Sequence, residues 1–189
     1  MRIEKDKEKE LIELAKLIKN EELREKTIEI IKNIRISNKN FKKYEKYKID
    51  FSKAYGGPST FHHAYEEGLI DHTLAVVKIS IALAKIFEES YGVMINKDYL
   101  IAGAILHDIM KIFCYKKEKG KILSNEAMLD HGIWACCELY LRDFPEEVIH
   151  IIASHFGPSG ANPPQTIEAL IVFYADSIDA TIESLIRRY

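Results

Sequence analysis

An apolar run that begins near residue 100 closes in Leu106-His107-Asp108-Ile109-Met110-Lys111, and no other stretch constrains the fold as much. Such a run reads as a buried helix. An ionised carboxylate in apolar surroundings is unstable unless it is paired or bound to a metal. An imidazole beside it makes a pair that hard and borderline divalent cations accept. Taken alone, the dipeptide reads more simply as a His–Asp hydrogen bond inside a core. Its meaning depends on what the rest of the chain brings to it.

The remaining periodicities are helical. Residues 7–19 place Leu11, Leu14, Ala15, Leu17 and Ile18 on one face, and residues 21–36 turn Leu23, Thr27, Ile30, Ile31 and Ile34 inward. After the break Gly56-Gly57-Pro58-Ser59, a long helix is expected over about 69–87 with His72 near its start. Asn96 caps the helix that rises to His107 and Asp108. Residues 112–123 are ambiguous and admit a small hairpin. Helices follow over about 128–141, which holds His131, and from Pro145 to near His155. Beyond the second break, 157–164, a last helix starts near Thr166 and carries Asp176 and Asp179. The expected fold is all-α: one domain over 1–189, in which N-terminal helices over 1–55 pack on a helical core at 61–180.

Composition narrows the function. A net charge of -2 gives no global field to recruit nucleic acid, so any basic patch is local. Segment 32–53 is such a patch: Lys39, Lys42, Lys43 and Lys46 alternate with Phe41, Tyr44, Tyr47 and Phe51. Rings interleaved with cations can hold a single strand, and they equally describe a solvated face over aromatic packing. Three cysteines, two of them adjacent, do not make a disulfide framework or a zinc ribbon and suit a reducing compartment. The charged N-terminus has no apolar signal core and no run reaches a membrane span, so the expected location is the cytoplasm, with no membrane partner. Gln165 is the only glutamine in a chain rich in Ile, Lys and Glu, a bias expected of a thermophile. Oligomeric state is left open.

His72, His107, Asp108, His131, His155 and Asp176 fall on different predicted helices or helix ends, apart from the adjacent pair. Helix bundles build metal sites from inward side chains in this way. Six such groups suffice for two ions if Asp108 bridges them, and a site without thiolates suits Mn, Fe, Ni, Zn or Mg.

The ordered series H…HD…H…H…D resembles the HD-domain metal-dependent phosphohydrolases. The likeness is strongest to the HD domain of YhaM-type 3′–5′ exoribonucleases. It rests on His62-His63-Ala64-Tyr65, Gly68-Leu69, His72-Thr73, Leu106-His107-Asp108-Ile109, Ser154-His155 with Gly157, Pro164-x-Thr166-x-Glu168-Ala169 and Tyr174-Ala175-Asp176 with Asp179, over about 61–180. Met110 replaces the usual glycine of HD-I-G-K, and Phe156 stands where a second histidine often follows His155. Either change would reshape the substrate pocket. Only helices are read before Phe61, where those exoribonucleases carry a nucleic-acid-binding OB domain.

The resemblance implies that His72, His107, Asp108 and Asp176 hold a first metal and that Asp108, His131 and His155 hold a second. It implies phosphodiester hydrolysis of nucleotides or oligonucleotides by a metal-activated hydroxide, with Asp108 as the central catalytic residue. Lys111 is assigned to a phosphate oxygen or the leaving group, if the helix continues and keeps it on the His107 face; its plain alternative is a solvated lysine. His63 is a substrate-binding candidate at the pocket mouth. Asp71 and Glu67 are candidates to orient ligand imidazoles, Asp179 either does so or pairs with Arg187 or Arg188, and His150 is read as structural or surface. Two other functions stay open: a one-metal phosphomonoesterase of the 5′-nucleotidase kind, and a non-catalytic nucleotide-sensing module.

Overall fold

The computed structural model describes residues 6–187, so Arg188 lies outside the described residues. Polar side chains set where most helices begin. Asp6 accepts from Lys9 N ahead of α1 (Lys7–Ala15), and Asn20 accepts from Leu23 N ahead of α2 (Glu21–Asn33). Asn96 caps α4 (Lys97–Leu106), Asp130 caps α5 (His131–Tyr140), and Thr166 caps α7 (Ile167–Ile186). Helix α6 (Glu146–Ala153) follows Pro145, and α3 (Gly68–Tyr91) ends at Gly92 in the left-handed conformation.

The all-α expectation holds, and each shifted boundary has a local cause. Helix α1 stops at Ala15 rather than near 19, because Asp98 accepts from Lys19 N at 2.8 Å and Asn20 N at 2.9 Å and turns the chain. Helix α2 stops at Asn33 because Ile34 is extended and its carbonyl accepts from Lys48 Nζ at 2.9 Å. Helix α5 starts at His131, not 128, and α6 ends at Ala153, so His131 opens a helix and His155 follows one. The ambiguous stretch is a hairpin of β1 (Tyr115–Glu118) and β2 (Lys121–Ser124), with Tyr115 opposite Ser124. Lys119 and Gly120 both have positive φ, 49° and 78°, as a tight type I′ turn requires.

Helix α3 lies in the middle and packs against α1, α4 and α7. Leu11 and Ala15 of α1 and Ile30 and Ile31 of α2 join Leu69, Ile70, Val77, Leu100, Ile105, Trp134, Ile151 and Val172 in one buried core. Fully burying an aliphatic side chain of this size contributes about 1.5–3 kcal/mol. The aromatic residues of 32–53 belong to that core. Tyr44 and Phe51 are buried, and the rings of Phe41 and Tyr44 lie 5.5 and 5.4 Å from Trp134. Most of these rings pack inward rather than offering a stacking platform, with Lys39, Lys42, Lys43 and Lys46 exposed above them. Among the described residues, no helix is long and apolar enough to cross a membrane.

Candidate metal centre

Four helix ends and the middle of α7 meet at one point. Helix α3 brings His72 one turn after its start, α4 ends just before His107 and Asp108, and α5 opens on His131. The turn after α6 supplies His155, and α7 supplies Asp176 and Asp179. His72 and His107 are fully buried, and Asp108 and His155 nearly so.

The donor atoms face one another. His72 Nε2 lies 3.2 Å from His107 Nε2, 3.2 Å from Asp176 Oδ1 and 3.3 Å from Asp108 Oδ2. His107 Nε2 is 3.4 Å from Asp108 Oδ2. On the other side, His131 Nε2 is 2.9 Å from Asp108 Oδ1 and 3.3 Å from His155 Nε2. Asp108 therefore turns one oxygen to each group.

The tautomers sharpen this picture. His107 Nδ1 donates to Ala104 O at 2.8 Å and His155 Nδ1 donates to Ile152 O at 2.5 Å, which leaves both Nε2 atoms as lone pairs. Converging lone pairs and carboxylates need a proton or a cation between them. Asp108 Oδ1 is buried and makes no hydrogen bond, because its short approach to His131 Nε2 is not aligned as one. Ligands about 2.1 Å from a common ion sit roughly 3.0–3.4 Å apart in octahedral or tetrahedral geometry, which is the spacing found here. His72, His107 and Asp176 form one group able to hold a cation, and Asp108, His131 and His155 form another. Imidazole and carboxylate without thiolate suit divalent cations.

The electrostatics of these side chains agree. Burial opposes a charged His72, but hydrogen bonds to Asp108, Asp176 and Asp179 outweigh it and hold its pKa well above the usual value. A proton there stands in for a cation. Burial raises the Asp108 carboxyl, but the Lys111 ammonium and the imidazoles of His107 and His131 beside it outweigh that and keep it well below its ordinary range. Burial pushes His155 down to about 4, so its lone pair is free at neutral pH.

Several expected residues stand elsewhere. The chain leaves the α-helix at Leu106 and continues as a 3₁₀ turn, Ile109–Phe113, so Lys111 does not share a helical face with His107. Nor is it solvated: it is 7% exposed and its Nζ lies 2.6 Å from Asp108 Oδ2. His63 is buried at φ 52°, its ring against His72 and its Nε2 3.5 Å from Asp179, so it backs the site instead of lining the mouth. Gly68 makes room for this turn, since a Cβ there would come within 2.0 Å of the His63 carbonyl. His62 takes the place at the mouth. Asp71 and Glu67 do not orient imidazoles; each lies 2.7 Å from Lys7 Nζ. His150 is structural, accepting from Gln165 N at 3.0 Å.

Asp179, outside the ligand set, takes the first of its two expected roles and orients an imidazole, while Arg187 pairs with Glu183. Its Oδ2 lies 2.6 Å from His72 Nδ1, the nitrogen that faces away from the centre.

A cleft of about 360 Å³ opens over the centre, lined by Gly57, Phe61, His62, Asp108, Lys111, Tyr115, His131, His155, Phe156 and Asp176. Phe156 stacks at 4.1 Å on His155 and reaches this cleft, whereas Met110 is fully buried and does not.

Comparison with known proteins places the centre in context. The HD domain family model matches residues 69–181. A dihydroneopterin 2′,3′-cyclic phosphate phosphodiesterase of Methanocaldococcus jannaschii is 46% identical over 180 residues, which cover 93% of this chain and 70% of that protein. The 3′–5′ exoribonucleases YhaM of a Geobacillus species and of Oceanobacillus iheyensis are 30% and 32% identical over 90% and 89% of this chain. The chain spans 55% and 56% of the length of those two. No solved structure matches it.

Proposed function

The chain belongs to the HD domain family, and on that premise we propose that it is a metal-dependent phosphodiesterase whose substrate is a small, nucleotide-like cyclic phosphate. The observation that carries the reading is the division of Asp108, one oxygen toward His72 and His107 and the other toward His131. His72, His107, Asp108 and Asp176 hold one divalent cation, and Asp108, His131 and His155 hold a second. Mn, Fe, Ni, Zn and Mg all fit these donors. Cations bound there supply Lewis-acid charge to a phosphoryl group and lower the pKa of water toward neutrality.

The side chains supply the rest. Asp179 holds the Nδ1 proton of His72 and so presents Nε2 to the centre. Lys111 lines the cleft beside Asp108 and offsets phosphate charge as a point cation. Phe61 and Phe156, 62% and 51% exposed, offer ring faces to a planar heterocycle at the rim of the cleft. His62 stands with them, in the substrate role expected of His63.

A cleft of about 360 Å³ suits one nucleotide-sized ligand better than a strand. The inward rings of 32–53 remove the expected stacking track toward the site, so nucleic acid is the lesser candidate. The name of the M. jannaschii relative, a 2′,3′-cyclic phosphate phosphodiesterase, agrees with this choice. The three cysteines, none in a disulfide, suit the cytoplasm.

The test is a panel of nucleoside 2′,3′-cyclic phosphates, glycerol cyclic phosphate, nucleoside monophosphates and short RNA, run with each metal. Cyclic diesters should be cleaved. Phe156→Ala should raise KM about tenfold for the ring-bearing diester and leave the glycerol ester unchanged, since base–aromatic stacking contributes about 1–3 kcal/mol. Cleavage of monoesters alone would favour the one-metal phosphomonoesterase. No hydrolysis with any metal would favour a sensing module.

A further inference from the structure

The solvent side of α7 reverses the usual pattern of a surface helix. At about 100° per residue, Glu168, Asp176, Asp179 and Glu183, its only charged side chains, fall within an arc of roughly 80°. Asp176 and Asp179 of that arc face His72, and Glu168 accepts from Asn96 N. The opposite side presents Ile167, Leu170, Tyr174, Ile178, Ile182 and Leu185, each 39–50% exposed, with Ser177, Thr181 and Ser184 beside them. In a chain that is 30% charged, six large apolar side chains in an uncharged strip mark a covered surface.

The spacing identifies what covers it. The six residues follow one another at intervals of 3, 4, 4, 4 and 3, a series that reads the same from either end and centres on position 176. An antiparallel second copy of the helix then places Ile167 opposite the partner's Leu185, Leu170 opposite the partner's Ile182, and Tyr174 opposite the partner's Ile178, all in one register. A two-fold axis requires this self-complementarity, because each contact occurs twice. The six side chains together expose roughly 500 Å² per protomer, so pairing them removes on the order of 1,000 Å², about the least that a specific interface needs. Asp176 lies at the level of the axis but on the other side of the helix, so the cleft stays open.

We propose that α7 is the two-fold contact of a homodimer, its apolar strip packed antiparallel on the same strip of a second copy. Light scattering on the eluting full chain at tens of micromolar should give twice the 21.8 kDa chain mass. Leu170→Lys and Ile182→Glu, each alone, should place a charge against an apolar partner and weaken the dimer at least tenfold. The double variant sets opposite charges face to face at both ends of the contact and should restore it. Unchanged metal content reports that each variant is folded. A monomeric wild-type chain would overturn the proposal, as would single variants that stay dimeric. A double variant that stays monomeric would overturn the antiparallel register, which a contact with any other partner does not require.

Discussion

Removing the Asp179 carboxylate isolates what a residue that would touch no cation does for the centre. Its Oδ2 lies 2.6 Å from Nδ1 of the fully buried His72, with the Asp179 side chain only 13% exposed, so the bond is charge-assisted and little screened. A hydrogen bond to a charged group contributes about 1.5–3 kcal/mol and a neutral one about 0.5–1.5 kcal/mol. Asp179→Ala removes the whole bond and should weaken the cation held through His72 roughly 10- to 150-fold, at about 1.4 kcal/mol per tenfold. Asp179→Asn keeps an acceptor and loses only the charge, so the loss should be about 5- to 10-fold. Titration of the metal-stripped protein against a chromogenic chelator reads both steps. The cation between His131 and His155 should keep its affinity within about twofold, since Asp179 touches neither residue. Equal weakening of both steps would mean that Asp179 holds the fold rather than His72. No change in either would mean that it does not position the ligand at all.

Other outcomes follow from the same geometry. Lys111→Met should lower kcat about 100-fold with metal content intact, on the scale of other preorganised charges at a reacting phosphate or oxyanion; a normal kcat would reduce Lys111 to a partner of Asp108. Gly157→Ala should destabilise the chain by about 1–3 kcal/mol, because φ is +84° and a Cβ would come within 2.2 Å of Phe173. Thermal melting reads this as a fall of several degrees, and an unchanged Tm would contradict it. The ion-free protein should lose stability as pH falls from about 6.5 to 4. Burial lowers the His155 pKa to about 4, so the unfolded chain takes up that proton first. His72 is shifted upward, so its opposing contribution is confined to the top of this window, where the unfolded imidazole is still taking up its proton. The His155 share is bounded at about 3 kcal/mol, and a flat urea-unfolding profile between pH 6.5 and 4 would contradict it.

The features legible in the sequence were those fixed by local chemistry. Asn96 and Thr166 sit where their side chains satisfy the first free backbone N–H groups, and α4 and α7 begin there. The family could be read because its ligand types recur in a fixed order along the chain. Features set by distant contacts could not be read. Asp98 ends α1 from 79 residues away, and Lys7 captures Glu67 and Asp71 across the α1–α3 interface. The basic aromatic segment was ambiguous because Trp134, which receives its rings, lies about 90 residues later. The place of His63 is hidden for a similar reason, since its left-handed backbone and the room beside Gly68 decide which neighbouring histidine faces the cleft. The place of Lys111 depends on whether the helix continues past His107, and the chain instead tightens at Asp108.

The central claim is that Asp108 is shared between two cations in a centre that hydrolyses phosphodiesters. Elemental analysis of the metal-loaded chain, with cyclic phosphodiester hydrolysis measured on the same samples, tests it most directly. The wild-type chain should hold about two ions, and Asp108→Ala should hold fewer than one and cleave nothing, because both groups lose a shared ligand. A fully active wild-type chain with a single ion, or Asp108→Ala that keeps its metal and its activity, would contradict the account.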